Sequence, residues 1–175
     1  PILKVTKGKH VITFYNDVEY NDWKSKNNDG KGYTSKYYKG LGTSTSKEFK
    51  EYMKNKKIIG FASSGAECVN AVDKVFNIKR ADDRKQWLGE YDKTKYLDTN
   101  KELITYSEFI NNELIHFSIY DCNRNIPNIM DGLKISMRKI LFAAYKRNLT
   151  TEIKVAQFVG YVSEHACYHH GEASL

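Results

Sequence analysis

The pattern of apolar and polar positions predicts an α/β arrangement at the start of the chain. Residues 11–15 and 33–38 combine β-branched or aromatic residues between turns rich in Gly and Asn, which is typical of strands. The polar residues 26–32 predict a loop. Thr45-Ser46-Lys47-Glu48 has the spacing of a capping box and predicts a helix to about residue 55. A strand, a glycine turn and a helix in this order indicate an α/β layer.

The next stretch predicts one short strand and three helices. The strand candidate is 58–61, and apolar spacing favours helices at 66–76 and 81–91. Residues 92–101 are charged, with little apolar periodicity, and we interpret them as a domain boundary. Thr105-Tyr106-Ser107-Glu108 repeats the capping-box spacing and predicts a helix to about residue 117.

The last third predicts a helix-turn-helix. Pro127 disfavours helix at the residue before it, and Asp131 is the predicted N-cap of the following helix. A polar turn at 147–151 separates two apolar stripes with helical spacing. The first stripe is Met137, Ile140, Leu141, Ala144 and Tyr145, and the second is Val155, Phe158, Val159, Val162 and Ala166.

Composition indicates a globular protein with an excess of positive charge. The chain has 175 residues, of which 41% are apolar and 28% charged, and no apolar run approaches the length of a membrane span. Its net charge of +7 favours a polyanionic partner. The cysteines Cys68, Cys122 and Cys167 are widely spaced, which argues against a disulfide framework and fits a reducing compartment.

Basic residues concentrate in the predicted helix-turn-helix. Residues 121–150 contain six Lys or Arg against two Asp. Lys134 and Arg138 lie one helical turn apart with Lys139 beside them, and Arg124 precedes the helix. Such cations suit contacts to phosphates, which position a duplex without reading its sequence. A solvated helix face explains the same pattern, so both interpretations stay open.

Two further motifs have ordinary structural explanations. Asp82 and Asp83 at a helix start complement the helix dipole, while Arg84 and Lys85 either pair with them or face a phosphate. Gly40-Leu41-Gly42 lacks the full spacing and the Lys-Ser/Thr ending of a P-loop. The sequence therefore favours a tight turn there over a nucleotide site.

Histidines and a cysteine cluster near the end of the chain. His165, Cys167, His169 and His170 lie within six residues, yet a structural zinc site needs four ligands, commonly in two separated pairs, and no second pair is present. Zinc is therefore disfavoured. His169 and His170 are instead candidates for donating hydrogen bonds to phosphate oxygens or to a reacting centre.

Five ordered blocks resemble the eukaryotic and large-virus DNA topoisomerase II family, the type IIA topoisomerases. The adjacent histidines, with no proline between them, resemble the eukaryotic or viral branch rather than the bacterial gyrases. The blocks begin at Lys36, Asp82, Ile126, Lys154 and Tyr168. They read KYYKGLGTSTSKE, DDRKQWL, IPNIMDGLKISMRKILF, KVAQ and YHHGE.

The resemblance implies an α/β fold, the C-terminal part of a Toprim domain, followed by a mainly α winged-helix domain. It assigns residues 1–98 to the end of Toprim and its connector, and 104–175 to the start of the winged-helix cleavage domain. It also implies positions that contact DNA and positions close to the cleavage site. The former are Arg84, Lys85, Lys134 and Tyr168, and the latter Arg124, Arg138, Lys139, His169 and His170.

The family's activity is ATP-dependent passage of one duplex through a transient double-strand break, with a tyrosyl–DNA intermediate and Mg²⁺. By the resemblance, the acidic Mg²⁺ ligands precede Pro1, the ATPase domain lies further upstream, and the nucleophilic tyrosine follows Leu175. We therefore expect both ends to be incomplete and no catalytic or metal-binding residue in this chain. The expected setting is a homodimeric nuclear or viral enzyme acting on double-stranded DNA, away from membranes.

Two alternatives stay open. The chain is a stand-alone, non-catalytic helix-turn-helix DNA-binding module, or it belongs to a regulatory homologue whose tyrosine or metal ligands have been replaced. Sequence on either side of residues 1–175 separates these hypotheses. An Arg-Tyr in a suitable context beyond Leu175 supports the enzyme, and a nearby stop codon contradicts it.

Overall fold

The computed structural model describes residues 1–39, 42–54, 56–168 and 171–175, with the side chain of Glu172 left out. These residues form two compact units, Pro1–Leu114 and Ile115–Leu175. The first unit is mixed α/β and the second is helical in its described part, so the predicted fold class is confirmed. The predicted division at 98–104 concerns domain identity and stays a prediction.

The first unit begins with a three-stranded antiparallel sheet in the order β2-β1-β3. The strands are β1 (Leu3–Lys7), β2 (His10–Phe14) and β3 (Thr34–Tyr37). The register places Leu3 opposite Phe14 and Val5 opposite Ile12, so these four apolar side chains share one face. Strands β2 and β3 match the predicted strands, whereas β1 was missed because only Leu3 and Val5 alternate with polar residues.

Each face of this sheet is covered by a different helix. On one side, Leu3, Val5 and Phe14 pack against Tyr20 and Trp23 of α1 (Asp17–Lys26). Ring centroids there lie 5.0–6.1 Å apart, within the range of favourable aromatic pairs. On the other side, Lys4 faces α2 (Ser46–Lys54). Helix α1 was not predicted because its apolar residues are few and irregularly spaced.

A parallel strand pair connects the rest of the first unit. The predicted strand is observed as β4 (Gly60–Ala62), and it pairs with β5 (Leu103–Thr105). This pairing brings the chain on both sides of the polar segment 92–101 together. Helices α3 (Ala66–Phe76) and α4 (Ala81–Gly89) lie between these strands in sequence, close to their predicted bounds.

The helix after Thr105 is longer than predicted. Both hydrogen bonds of the predicted capping box are present, and they start α5 (Tyr106–Phe109). A π-helical segment (Ile110–Leu114) follows, and α6 (Ile115–Asn125) continues well past residue 117. Helical structure persists because no helix-breaking residue occurs before Pro127.

The second unit contains a helix-turn-helix, as predicted. Helices α7 (Ile135–Lys146) and α8 (Val155–His165) pack around Ala143 and Val162, which are almost completely buried. Tyr168 joins this core from the segment after α8. A short 3-10 turn, Glu172–Ser174, follows.

The predicted stripe on α7 was partly wrong. Met137, Leu141 and Tyr145 are exposed, while Ala143 carries the contact with α8. Helix α7 is apolar over more than one face, so its periodicity could not select the face on which α8 packs. On α8 the stripe is correct except for Val155, which is exposed.

Asp131 does not cap α7. Lys134 occupies the N-cap position, and no side chain caps this helix end. Asp131 instead accepts a hydrogen bond from the backbone N–H of Leu133 at 3.0 Å, a local turn. Gly132 follows with a φ of +70°, which turns the chain before the helix begins.

Candidate nucleic-acid interface

Cations from two helices of the second unit surround one cavity of about 380 Å³. Arg124 comes from the end of α6, and Lys134 and Lys139 come from the N-cap and second turn of α7. Tyr168 reaches the same cavity from the segment after α8. The remaining lining residues are Tyr120, Asn125, Ile135, Ser136 and Ser174.

Two hydrogen bonds hold the segment after α8 against this cavity. The Lys139 ammonium donates to the carbonyl oxygen of Cys167 at 2.8 Å. The Tyr168 hydroxyl donates to Ser174 Oγ at 3.0 Å, and its ring is buried in the core of the unit. Cys167 has a φ of +49°, which reverses the chain between α8 and Tyr168. The position of Tyr168 is therefore set by the core as well as by the cavity.

The cavity is suited to an anion. No Asp or Glu is among its described lining residues, whereas Arg124, Lys134 and Lys139 each bring a positive charge. Asn125, Ser136 and the two tyrosines add neutral donor groups. Charge-assisted hydrogen bonds from such groups are the usual means of holding a phosphate.

The structure thus places four of the nine predicted site residues together: Arg124, Lys134, Lys139 and Tyr168. Arg138 does not line the cavity, because its guanidinium forms an ion pair with Asp131. The predicted residues His169 and His170 lie outside the described residues.

Arg84 and Lys85, the predicted DNA contacts of the first unit, already have protein partners. The half-buried Arg84 guanidinium donates to the carbonyl oxygens of Lys74 and Asn77 at the end of α3. The exposed Lys85 ammonium lies 2.8 Å from Asp82 on its own helix. Arg84 consequently joins α4 to α3, and Lys85 forms a solvent-exposed ion pair.

A polar cluster fixes the KYYKGLGTSTSKE block, although sequence reasoning assigned Glu48 only to a helix cap. Both capping-box hydrogen bonds form, with the Thr45 N–H 2.8 Å from Glu48 Oε2 and the Glu48 N–H 3.3 Å from Thr45 Oγ1. Glu48 also accepts from Lys36 at 2.9 Å and from the Tyr38 hydroxyl. The Thr45 N–H, then Tyr38 and Lys36, hold the Glu48 pKa well below its ordinary value. Gly40 and Leu41 lie outside the described residues.

A second cavity, of about 510 Å³, lies beside α3 and was not predicted. Its lining is mainly apolar, with Val69, Val72 and Phe76 on one helix face and Cys68 at its edge. The backbone N–H of Ser64, and then its hydroxyl, lower the pKa of the buried Cys68 thiol to about 7. Nothing in the sequence marks this cysteine, because its surroundings come from α3 and from Ser107 of α5.

The described side chains include no group of three or more His, Cys, Asp or Glu placed to hold a metal ion. Within the same part of the chain, no helix combines the length and the apolar character needed to cross a bilayer.

Two family models together cover nearly the whole chain. Residues 1–122 match the family described as the C-terminal associated domain of TOPRIM. Residues 124–175 match a family described as DNA gyrase/topoisomerase IV. Since the first match covers more than half of the residues, the chain belongs to this TOPRIM-associated family.

The relatives are eukaryotic type II DNA topoisomerases, which confirms the resemblance seen in the motifs. The chain is 48% identical to DNA topoisomerase 2 of Plasmodium falciparum and 51% identical to the probable DNA topoisomerase 2 of Dictyostelium discoideum. It is 47% identical to rat DNA topoisomerase 2-alpha. Each alignment covers 100% of this chain, which spans only 12–13% of the length of these relatives.

A solved structure has the same fold. The crystal structure of the Plasmodium falciparum topoisomerase II DNA-binding, cleavage and re-ligation domain matches with a TM-score of 0.80 and 47% sequence identity. The match covers 99% of this chain and 24% of that one.

Proposed function

We propose that this chain forms part of the DNA-binding and cleavage core of a type II DNA topoisomerase, where it contacts the phosphates of a duplex. The observation that carries the proposal is the cavity lined by Arg124, Lys134, Lys139 and Tyr168, which gathers three positive charges without a described acid. The similarity to a solved DNA-binding, cleavage and re-ligation domain supports it.

In this proposal the chain positions DNA and the chemistry occurs elsewhere in the parent protein. A tyrosine outside residues 1–175 attacks a DNA phosphate, so that a tyrosine–phosphate ester replaces one ester of the DNA backbone and a DNA hydroxyl leaves. That hydroxyl can attack the new ester and restore the strand, because the number of ester bonds is unchanged. One duplex passes through the double-strand break before religation.

The parent's cofactors are proposed to be ATP, which drives strand passage, and Mg²⁺, which stabilises charge on the reacting phosphate. Their ligands are proposed to lie outside this chain. We further propose that the parent acts as a homodimer on double-stranded DNA in the nucleus, or in a viral replication compartment if it is viral.

A charge-removing substitution tests the cavity. We expect Lys134→Gln to weaken binding equally to two 20-base-pair duplexes of unrelated sequence, because phosphate contacts carry no sequence information. The slope of log affinity against log salt should fall by about 0.9, the value for one lost phosphate contact. Fluorescence anisotropy titrations from low to moderate salt measure both quantities.

Lys146→Gln is the matched control, since Lys146 lies at the far end of the same helix and does not line the cavity. It should change the slope clearly less than Lys134→Gln. Equal effects of the two substitutions would show that only net charge matters, and an effect confined to one duplex would contradict phosphate positioning.

A further inference from the structure

Helix α2 has a face that the function proposed above does not use. Glu48 turns toward the sheet, where it contacts Lys36 and Tyr38. Three lysines lie on another side of the helix with the spacing i, i+3, i+7, so they form one stripe. These exposed residues, here called the α2 lysine stripe, are Lys47, Lys50 and Lys54.

The charge of this stripe is not neutralised within the described protein. Glu51 stands four residues after Lys47 and three before Lys54, where a helix would normally form ion pairs. Its carboxylate instead lies 3.8 Å from the nearly buried Lys4 ammonium of β1. Glu48 is likewise engaged by Lys36 at 2.9 Å. The acids of α2 thus serve the sheet, and no described acid pairs with the α2 lysine stripe.

The other basic residues predicted to bind DNA from this unit are less available. Arg84 is committed to two carbonyl oxygens, and Lys85 is paired with Asp82. The α2 lysine stripe therefore offers more uncompensated positive charge than either predicted residue.

The dimensions of the stripe fit a duplex backbone. Seven residues of helix rise by about 10 Å, which matches about three base-pair steps of 3.4 Å along one strand. We propose that the α2 lysine stripe lies along the phosphate backbone of duplex DNA. It forms a contact surface separate in sequence from the cavity at Lys134, and this inference rests on the proposed function.

An anionic lipid surface is the main alternative partner for a basic helix. Membrane-surface helices need a broad apolar face beside their basic residues. Helix α2 exposes Phe49 and Met53 but turns Glu48 and Tyr52 to the protein, so its free apolar area is small. Duplex DNA is the better match.

The test is a triple substitution in the 175-residue chain. Lys47→Gln, Lys50→Gln and Lys54→Gln together should weaken duplex binding and lower the salt slope by about 2.7, which corresponds to three phosphate contacts at about 0.9 each. The control triple Lys9→Gln, Lys79→Gln and Lys93→Gln removes the same charge from scattered exposed positions. It should lower the slope by less than about 1.

A second triple keeps the charge and guards against misfolding. Lys47→Arg, Lys50→Arg and Lys54→Arg should retain the wild-type affinity and slope, because any cation serves a phosphate contact. Loss of binding in this triple would overturn the inference. So would equal slopes for the glutamine triple and its control, or a glutamine triple that loses binding to phosphatidylserine vesicles but keeps its binding to DNA.

The Lys134→Gln variant separates this inference from the proposed function. If Lys134→Gln lowers the slope and the α2 glutamine triple does not, the inference fails and the proposed function stands. If the wild-type chain binds no duplex at low salt, both fail. A reduced slope in the α2 glutamine triple alone supports the stripe and contradicts the cavity.

Discussion

Neighbouring residues of the same charge have different roles in this chain. Arg84 and Lys85 are adjacent and both basic, and the family resemblance assigned them the same predicted contact with DNA. The structure separates them, because the Arg84 guanidinium is half-buried against two carbonyl oxygens while the Lys85 ammonium is exposed beside Asp82. A buried charged donor that loses its acceptors is costly, whereas an exposed pair contributes little.

This difference predicts unequal effects on stability. Arg84→Ala should lower the free energy of unfolding of the first unit by about 1–3 kcal/mol, since it removes hydrogen bonds from a charged group. Lys85→Ala should cause no measurable loss. Urea unfolding followed by tryptophan fluorescence reports on this unit, because Trp23 and Trp87 both lie within it.

The opposite result would return Arg84 to its predicted role. If Arg84→Ala leaves stability unchanged and weakens duplex binding, the guanidinium contacts DNA and its carbonyl partners are incidental. Arg84→Lys adds a useful intermediate, because a lysine keeps the charge but loses the planar fork that reaches two acceptors.

At the scale of elements, both predicted capping boxes form, and each is joined by a lysine. At Thr45 the added lysine is Lys36 of β3, and at Thr105 it is Lys101. Capping boxes are readable from sequence because their hydrogen bonds span three residues. The lysines are not, because sheet and loop geometry bring them to the carboxylate.

The second box predicts a pH dependence of stability. The Lys101 ammonium at 2.7 Å, and then the Thr105 backbone N–H, lower the Glu108 pKa from 4.5 to about 2. A lowered carboxylate pKa stabilises the folded state above the unfolded-state pKa, and this contribution is lost as pH falls from about 4.5 toward 2. Glu108→Gln should therefore destabilise the first unit at pH 7, by a margin that shrinks at pH 3.

Unfolding in urea at the two pH values measures this margin. Glu102→Gln, at an exposed carboxylate nearby, is the control and should leave the pH dependence unchanged. A Glu108→Gln variant whose deficit is as large at pH 3 as at pH 7 would exclude the carboxylate–ammonium pair as the cause.

For the whole molecule, two compact units share an excess positive charge of +7. The known relatives are about eight times longer, since the chain covers 12–13% of their length. Binding and catalysis are therefore separable in the proposed function, with DNA contacts inside residues 1–175 and the nucleophile outside.

This separation predicts a chain that binds DNA without changing its topology. The 175-residue chain, with ATP and Mg²⁺ present, should shift a plasmid in a gel but leave its supercoiling intact after deproteinisation. Agarose electrophoresis of a supercoiled plasmid shows both outcomes. Relaxation, or protein covalently attached to DNA, would place a nucleophile within this chain and refute the proposal.

Local features of this protein were determined by its sequence. Capping-box spacing placed the starts of α2 and α5, Pro127 stopped α6, and helical periodicity located α3, α7 and α8. These signals involve residues within a turn or two of each other, so the sequence contains them directly. The ordered blocks likewise identified the family before any fold was known.

Other features depended on the tertiary structure because they join residues far apart in the chain. Only the packing of α8 showed that Ala143, rather than Met137 and Leu141, faces the core. Only the chain reversal at Cys167 brings Tyr168 to the cavity of Lys134 and Lys139. A charge in the sequence has no fixed partner, and whether a lysine or arginine is free to meet a phosphate is decided when the chain folds.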